Sequence, residues 1–512
     1  MNRNEKRGVM AVRMQAEMGT REVVTDLAEE FSLPDYQPEM KRLLRVRATV
    51  MPPDRYIGGG RAECAGRIDY SILYTGNDGA MYCANQSGEY AFSAPMEIPS
   101  DFDGGEGILC SVECTPEQTA GRVMAPRKLS VKCRLRARVR FYGTRVPTEG
   151  FLDDGSMERL CGETECAEVF EGRSDAIALA DEIISEEGED ALRVISAEGQ
   201  VFVAETTAGS GVANCRGEVA IKLLCCREGG ENATPYAVLR KIPFTQSVPV
   251  HGMEVNCDAM ARGVCSDIRI TVEEGRILCE VEAMLAVKGM RRTRVAYPRD
   301  VYSAKRATAC EYRTVEIARP IKCGNGNFSV NTSLTLEEAG VRQGLSLVDL
   351  CGNASVTEVE SERGKYRFSG KCRFHAILSD GEDLSAQEFE VPFRYETEGG
   401  ELPSDIEAQA EVISCRARLD GERIAVDAEL SVAMSLCAKG EITLLSDVAV
   451  GEEWRQRGAV STVCYPDRRD TLWSVAKRYH CPLTELTARN RIASSPAADA
   501  ADSLAGVKFL LV

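Results

Sequence analysis

The chain has 512 residues and a formal net charge of −17 at pH 7. At roughly 150 residues per domain, this length predicts about three or four domains. So acidic a chain argues against nucleic acid as a partner, because a phosphate backbone is bound by basic surfaces. No apolar run reaches the roughly eighteen residues of a transmembrane helix, and no hydrophobic stretch follows the charged start as in a signal peptide. We therefore expect a soluble protein that stays in the compartment where it is made.

After an N-terminal segment at 1–24, predicted to be helical or flexible, three copies of one β-rich unit follow. A short stretch with a central glycine recurs about every 150 residues, at Gly66, Gly217 and Gly370. Downstream of each glycine lies a proline followed by a large apolar residue: Pro95-Met96, Pro243-Phe244 and Pro392-Phe393. Each copy then ends in a long alternating strand that runs into Gly143, Gly289 or Gly440. These independent markers predict repeats at 25–146, 175–292 and 325–442, folded as β-sandwiches or small barrels.

The strand that closes the first copy, from Leu129 to Val139, alternates most regularly. Apolar residues occupy every second position, and the intervening positions are mostly basic, including Arg134, Arg136 and Arg138. This pattern predicts a half-buried antiparallel strand with a solvated outer face. A basic stripe could also bind nucleic acid. The third copy carries Asp427 and Glu429 on the corresponding face, however, so we interpret the stripe as a solvated surface.

The residues that usually carry chemistry form no recognisable site. The 21 cysteines include no Cys-x-x-Cys pair, so zinc binding is not expected. Cysteines such as Cys133 and Cys279 occupy strand positions that favour a small apolar residue, and free buried thiols fit a reducing cytoplasm, although a disulfide framework remains an alternative. The histidines lie in no nucleophile-base signature: His251, His375 and His480. We therefore expect no enzymatic activity, no cofactor and no metal.

Residues 460–512 carry the most specific pattern in the chain. Apolar side chains recur at i, i+3, i+4 and i+7, at Leu472, Val475, Ala476 and Tyr479, which predicts a helix with one apolar face. Asp470 is its expected N-cap. Pro482 opens a second short helix that stops near Asn490. With strands at 462–465 and 507–512, the predicted order is strand, helix, helix, strand.

This order resembles the LysM domain, as do the residues Asp470-Thr471-Leu472-Trp473, Ala476, Tyr479, Leu486 and Asn490. The resemblance implies an N-acetylglucosamine groove between two loops, with the candidate binding residues Asp470, Thr471, Leu472, Asn490, Arg491 and Ile492. We also expect the two loops, at 470–473 and 490–492, to form a docking surface for a protein partner. In it Leu472 would supply an apolar anchor and Thr471 a hydroxyl, whereas Trp473 is expected to be a core residue. Arg469 stands where such domains usually have glycine and so places a cation at the rim. Alternatively, these residues only fold a small domain.

The body resembles a known family as well. Glu30-Phe31-Ser32-Leu33-Pro34-Asp35-Tyr36-Gln37-Pro38 matches the pattern that opens domains of the DUF3794 family. Tandem DUF3794 domains followed by a terminal LysM domain are the architecture of a spore coat morphogenetic protein of clostridial-type spore formers. The resemblance implies a mainly β fold, with three tandem sandwich or barrel-like domains followed by a small α+β (βααβ) LysM domain at 460–512.

This architecture also implies a function and a set of partners. It implies a non-enzymatic adaptor in the mother-cell cytoplasm, at the forespore surface. Its LysM tail would dock on the coat-basement ATPase, stage IV sporulation protein A, and its β repeats would scaffold the coat and could associate with one another. The alternative is a LysM-mediated binder of peptidoglycan or N-acetylglucosamine.

Overall fold

A computed structural model describes residues 12–104, 107–147, 156–184, 192–227, 235–273, 276–454, 462–492, 504 and 507–512. Antiparallel β-strands make up most of this part of the chain, and two short helices lie near the C-terminus. The predicted mainly β fold is therefore confirmed. In the described residues, no helix has the length and apolar character needed to cross a membrane.

The strands of the first unit are β1 (Met14–Ser32), β2 (Met40–Val50), β3 (Asp54–Gly58), β4 (Arg61–Gly76), β5 (Met81–Pro95), β6 (Leu109–Ala125) and β7 (Lys128–Arg145). They form one sheet in the order β1-β7-β6. In the second sheet β4 is central: β2 and β3 pair with successive stretches of one edge of β4, and β5 pairs along the other edge. The prediction of a helical or flexible segment at 1–24 is wrong for the part that β1 covers, and residues 1–11 lie outside the described residues. Val23, Val24 and Thr25 are β-branched and favour a strand, and Glu22 of β1 pairs with Arg136 and Arg138 of β7.

The second and third units repeat this arrangement. The second contains β8 (Met157–Arg173), β9 (Ile177–Ile184), β10 (Leu192–Ala208), β11 (Val212–Arg227), β12 (Tyr236–Pro249), β13 (Asp258–Glu273) and β14 (Arg276–Ser303). The third contains β15 (Arg306–Thr335), β16 (Ser346–Glu362), β17 (Lys365–Ser379), β18 (Leu384–Glu398), β19 (Asp405–Asp420) and β20 (Arg423–Glu453). In every unit the last strand lies between the first and the penultimate strand, as in β13-β14-β8 and β15-β20-β19. The first strand of each unit begins before the start of the predicted repeat.

Each unit is a sandwich with its core between the two sheets. In the first, Ile68 and Tyr70 of β4 pack in one cluster with Val131 and Cys133 of β7. The second and third units have equivalent clusters, each formed by residues from both of the unit's sheets. Alternation along each strand places one set of side chains in this core and the other in solvent.

The recurring glycines occupy equivalent positions. Gly66, Gly217 and Gly370 lie on the central strands β4, β11 and β17 and face aromatic partners on the next strand: Tyr90, Phe244 and Phe393. A Cβ on Gly217 would lie 1.9 Å from the carbonyl oxygen of Phe202, beside an irregularity in β10, so this position requires glycine. The proposed equivalence of Pro95-Met96 with the other Pro-apolar pairs is wrong, because Pro95 pairs with Arg61 and the residue opposite Gly66 is Tyr90.

The three sandwiches meet at a buried ion-pair cluster, which we call the central cluster: Arg45, Arg47, Glu198, Lys222 and Asp349. Arg45 of the first sandwich bonds Glu198 of the second at 2.6 Å and Asp349 of the third at 2.7 Å. Lys222 completes the set by pairing with Asp349. Burial opposes the charge on Glu198, but the neighbouring Arg45, Arg47 and Lys222 outweigh it and lower its pKa. An apolar cluster lies beside these ion pairs. Each unit contributes to it one residue from an equivalent position: Leu73, Leu224 and Ile377.

Further ion pairs join the sandwiches away from the central cluster. Arg140 of the first bonds Asp405 of the third at 2.9 Å, and Arg262 of the second bonds Glu113 of the first at 2.7 Å. Lys288 of the second sandwich pairs with Glu407 of the third, and both side chains are buried. Each pair of sandwiches is thus joined by charged groups as well as by apolar contacts.

The outer face of β7 is solvated, as predicted. Arg134 pairs with Asp26 of the adjacent β1 at 2.8 Å, and Arg136 pairs with Glu22 at 3.1 Å and with Glu117 of β6 at 2.5 Å. These bases are exposed and are matched by carboxylates on the neighbouring strands. The stripe is therefore a cross-strand ion-pair ladder on a solvated face.

The cysteines are free thiols, and most of them are buried. Cys133 and Cys279 lie in sandwich cores, as their strand positions predicted. Burial raises the pKa of Cys279 to about 11, which keeps the thiol protonated and unreactive at neutral pH. Cys161 on β8 is exposed.

Candidate functional site

The C-terminal module has the predicted strand, helix, helix, strand order. Its elements are β21 (Val463–Cys464), α1 (Leu472–Tyr479), α2 (Leu483–Asn490) and β22 (Leu510–Leu511). Leu472, Val475 and Ala476 are buried in one cluster with Leu486 of α2 and Leu510 of β22. The predicted apolar face of α1 is confirmed for these three residues, while Tyr479 lies at its exposed rim.

Thr471, and not Asp470, is the N-cap of α1. The Thr471 hydroxyl accepts from the amide of Ser474 at 3.1 Å, and the Ser474 hydroxyl accepts from the amide of Thr471 at 2.9 Å, which is a capping box. Asp470 is buried and accepts from Arg478 at 2.6 and 3.1 Å and from the amide of Asp467 at 3.0 Å. The hydrogen bond from Arg478 is the main reason that the pKa of Asp470 lies below its ordinary value. Asp470 therefore fixes the loop before α1 by binding the far end of the same helix.

Three of the other predicted groove residues also serve the module's own fold. Leu472 is only 8% exposed and belongs to the core, so its prediction as an apolar anchor for a partner is wrong. The amide nitrogen of Asn490 donates to the carbonyls of Leu486 and Leu511, both at 2.8 Å, and its oxygen accepts from the amide of Leu511 at 2.7 Å. Ile492 packs against the core. The sequence predicted these side chains as binding residues, and in the structure they stabilise the module itself.

The two predicted loops do come together. The amide of Leu504 donates to the carbonyl of Asp470 at 3.2 Å, which ties the loop after α2 to the loop before α1. Arg491 ends α2 in the left-handed conformation, with φ of 55°, and is exposed. Arg469 is exposed at the other loop. Residues 493–503 of the second loop lie outside the described residues.

The module is docked on the second sandwich through what we call the docking contact: Asp300 and Tyr302 of β14 with Trp473 and Lys477 of α1. The indole nitrogen of Trp473 donates to Asp300 at 2.8 Å, and Lys477 bonds the other oxygen of the same carboxylate at 2.6 Å. The rings of Tyr302 and Trp473 meet edge to face at 4.9 Å between centroids, and the Tyr302 hydroxyl donates to the carbonyl of Cys481 at 2.8 Å. The prediction of Trp473 as a core residue is confirmed, since its side chain is 5% exposed.

Asp300 is the residue at this contact that the sequence did not reveal. Burial opposes its charge, but hydrogen bonds from Lys477, Trp473 and Tyr312 outweigh burial and lower its pKa. A second contact joins the module to the end of β20, where Trp454 stacks on His480 at 4.0 Å between ring centroids. Trp454 thus packs against the C-terminal module.

The outer face of the module's two-stranded sheet presents apolar side chains to solvent. Val463 and Leu511 are partners in the two-stranded β21-β22 sheet, and the alternation places Cys464 and Leu510 inside and these two outside. Tyr465 and Phe509 continue the exposed set, at 76% and 54% exposure. We call Val463, Tyr465, Phe509 and Leu511 the outer sheet face. The alternation of 463–465 and 509–511 is the sequence signal for this face.

A sequence-family comparison identifies the module. Residues 468–495 match the family model of the LysM domain. No curated protein and no solved structure matched the chain. The LysM domain thus accounts for the C-terminal module, and LysM domains are associated with binding of peptidoglycan and related carbohydrates.

Histidines and possible metal ligands are dispersed in the structure. His375 lies on β17 with its Nδ1 3.2 Å from Glu388, whereas His480 ends α1 beneath Trp454. Burial lowers the pKa of His480. In the residues that the structure describes, no group of three or more His, Cys, Asp or Glu side chains is arranged to hold a metal ion.

Proposed function

We propose that this chain is a non-enzymatic adaptor of the spore coat, of the SipL type. In this proposal the LysM domain docks on the coat-basement ATPase of the stage IV sporulation protein A type, and the three sandwiches scaffold coat assembly on the mother-cell side of the forespore surface. The observation that carries the proposal is the fixed attachment of the LysM domain through Asp300, Tyr302 and Trp473, which leaves the outer sheet face open to a partner.

The joined sandwiches support a scaffolding role. The central cluster and the outlying pairs connect every sandwich to the other two, so the body can hold the LysM domain at a defined place. β12 and β18 are edge strands of their sheets, and copies of the chain could associate through edges of this kind. The role of the predicted groove residues Leu472 and Asn490 in the fold favours a protein partner over a sugar held by those side chains.

The second candidate function is binding of peptidoglycan or another N-acetylglucosamine polymer. The LysM match itself favours it. Exposed Arg491 and the backbone of the loop at 467–471 remain at the place where the family groove would lie. A glycan would have to use these groups in place of the Asn490 side chain.

A titration of the whole protein separates the two functions. The full chain is titrated with the ATPase and, separately, with a chitin hexamer, and a chain that lacks 462–512 serves as the comparison. Saturable binding of the ATPase that depends on 462–512, with no response to the hexamer, supports the adaptor. Hexamer binding without ATPase binding supports the glycan binder, and ATPase binding that survives the deletion contradicts LysM docking.

A further inference from the structure

The outer sheet face is a free apolar surface of the LysM domain, and its composition favours a particular kind of partner. The outer sheet face places two aliphatic and two aromatic side chains side by side in the smallest unit of the chain. The face of α1 that carries Trp473 and Lys477 is covered by the second sandwich. Because exposed apolar groups that adjoin one another mark interaction sites more often than scattered ones do, the outer sheet face is the candidate contact.

Basic side chains flank the residues of this face along the chain. Lys508 adjoins Phe509, and Arg468 and Arg469 follow Tyr465 in the same loop. Arg491 adjoins Asn490, whose side chain bonds the backbone of Leu511. These four bases are exposed, and the described part of the chain offers none of them an ion pair, whereas Lys477, Arg478 and Arg489 are paired. Asp467 is an exposed carboxylate in the same loop, and the unpaired bases outnumber it.

We infer that the outer sheet face is the surface with which the LysM domain binds its partner, and that this partner is a protein with an apolar strip bordered by carboxylates. The inference rests on the proposed function and moves the contact from the groove loops to the two-stranded sheet. Tyr465 and Phe509 are the anchors, because large aromatic side chains contribute most of the binding energy at protein interfaces. The flanking bases accelerate encounter and select an acidic surface.

The first test changes the anchors. The double variant Tyr465→Ser, Phe509→Ser is made in the full chain, and Tyr56→Ser is the matched control, since Tyr56 is an aromatic residue of β3 with 69% exposure. Against the ATPase, the double variant is expected to lose about tenfold or more in affinity, and the control about none. Both side chains are exposed, so the unfolding midpoint should stay close to that of the unchanged protein.

The second test changes the charges. The double variant Arg469→Glu, Lys508→Glu is expected to lower the association rate and to weaken its dependence on salt, because exposed interface charges act mainly on encounter. Arg342→Glu, an exposed base of the third sandwich, is the control with the same kind of charge change. Equal association rates for the double variant and the control would overturn the acidic-partner assignment.

The outcomes distinguish this inference from the proposed function. If the ATPase binds the anchor variant as tightly as the unchanged chain while deletion of 462–512 abolishes binding, the outer sheet face is overturned and LysM docking stands. If the unchanged chain does not bind the ATPase, both the proposed partner and the inference are refuted. If the anchor variant loses affinity for the chitin hexamer instead, the face binds sugar, and the protein assignment is overturned.

Discussion

Replacing Asp300 by alanine should release the LysM domain from the second sandwich. The Asp300 carboxylate accepts from Trp473 at 2.8 Å, from Lys477 at 2.6 Å and from the Tyr312 hydroxyl at 2.7 Å. A hydrogen bond to a charged group is worth about 1.5–3 kcal/mol. Lys477 can recover water after the change because its side chain is 34% exposed, so we count the Trp473 bond in full and the ion pair in part. We therefore expect the free energy of docking to weaken by about 2–3 kcal/mol, which would shift the docking equilibrium about 30- to 150-fold toward release.

Tryptophan fluorescence can follow this release because the chain has only 2 tryptophans. In a Trp454→Phe background, Trp473 is the sole emitter, and it is buried in the docked state. Asp300→Ala should shift its emission to the red and expose it to a soluble quencher. Asp300→Asn keeps an acceptor for the indole and should have a smaller effect. Glu163→Ala, an exposed carboxylate of β8, is the control. Unchanged emission and quenching in Asp300→Ala would refute the assignment of Asp300 as the residue that holds the domain.

Three further predictions concern the sandwiches. Arg45→Met leaves Glu198 and Asp349 buried with fewer cations and should lower the free energy of unfolding in urea by about 3–5 kcal/mol. Arg134→Met on the solvated face should change this free energy little. Equal effects of the two substitutions would contradict the buried-cluster account. The pKa of Glu407 is about 2 because Lys288 and Arg262 outweigh its burial, so its stabilisation is present above the unfolded pKa of about 4.3 and is lost as pH falls toward 2. Glu407→Gln should therefore flatten the loss of stability measured between about pH 5 and 2, and an unchanged slope would argue against this lowered pKa. With a thiol reagent on the folded protein, Cys161 should react fastest, and Cys161→Ser should remove that phase; its persistence would place the reactive thiol elsewhere.

The repeat and the elements of the LysM domain were predictable because steric and packing requirements within short stretches of the chain determine them. Gly217 faces a carbonyl that leaves no room for a side chain, and this requirement appears in the sequence as a recurring glycine. The spacing of Leu472, Val475 and Ala476 reports the buried face of α1 for the same reason. Strand alternation likewise reports which face of β7 is in the core.

The contacts between units were not predictable, because they join residues that are distant in the chain and carry no local signature. Asp300 and Trp473 meet across 173 positions, and Arg45 and Asp349 across 304. The structural roles of Leu472 and Asn490 were missed for a related reason. A family resemblance marks the residues that shape a domain as well as those that bind, and only the described contacts show that these two serve the fold.

Hydrogen exchange on the full chain with and without the ATPase tests the central claim most directly, because it reports every backbone segment at once. The account predicts protection on binding at 462–466 and 507–512, with no protection of the sandwich strands β10 to β12 and none produced by the chitin hexamer. Protection confined to the sandwiches, or protection at 467–471 and 491–492 by the hexamer alone, would contradict the claim that the LysM domain is a protein-docking module.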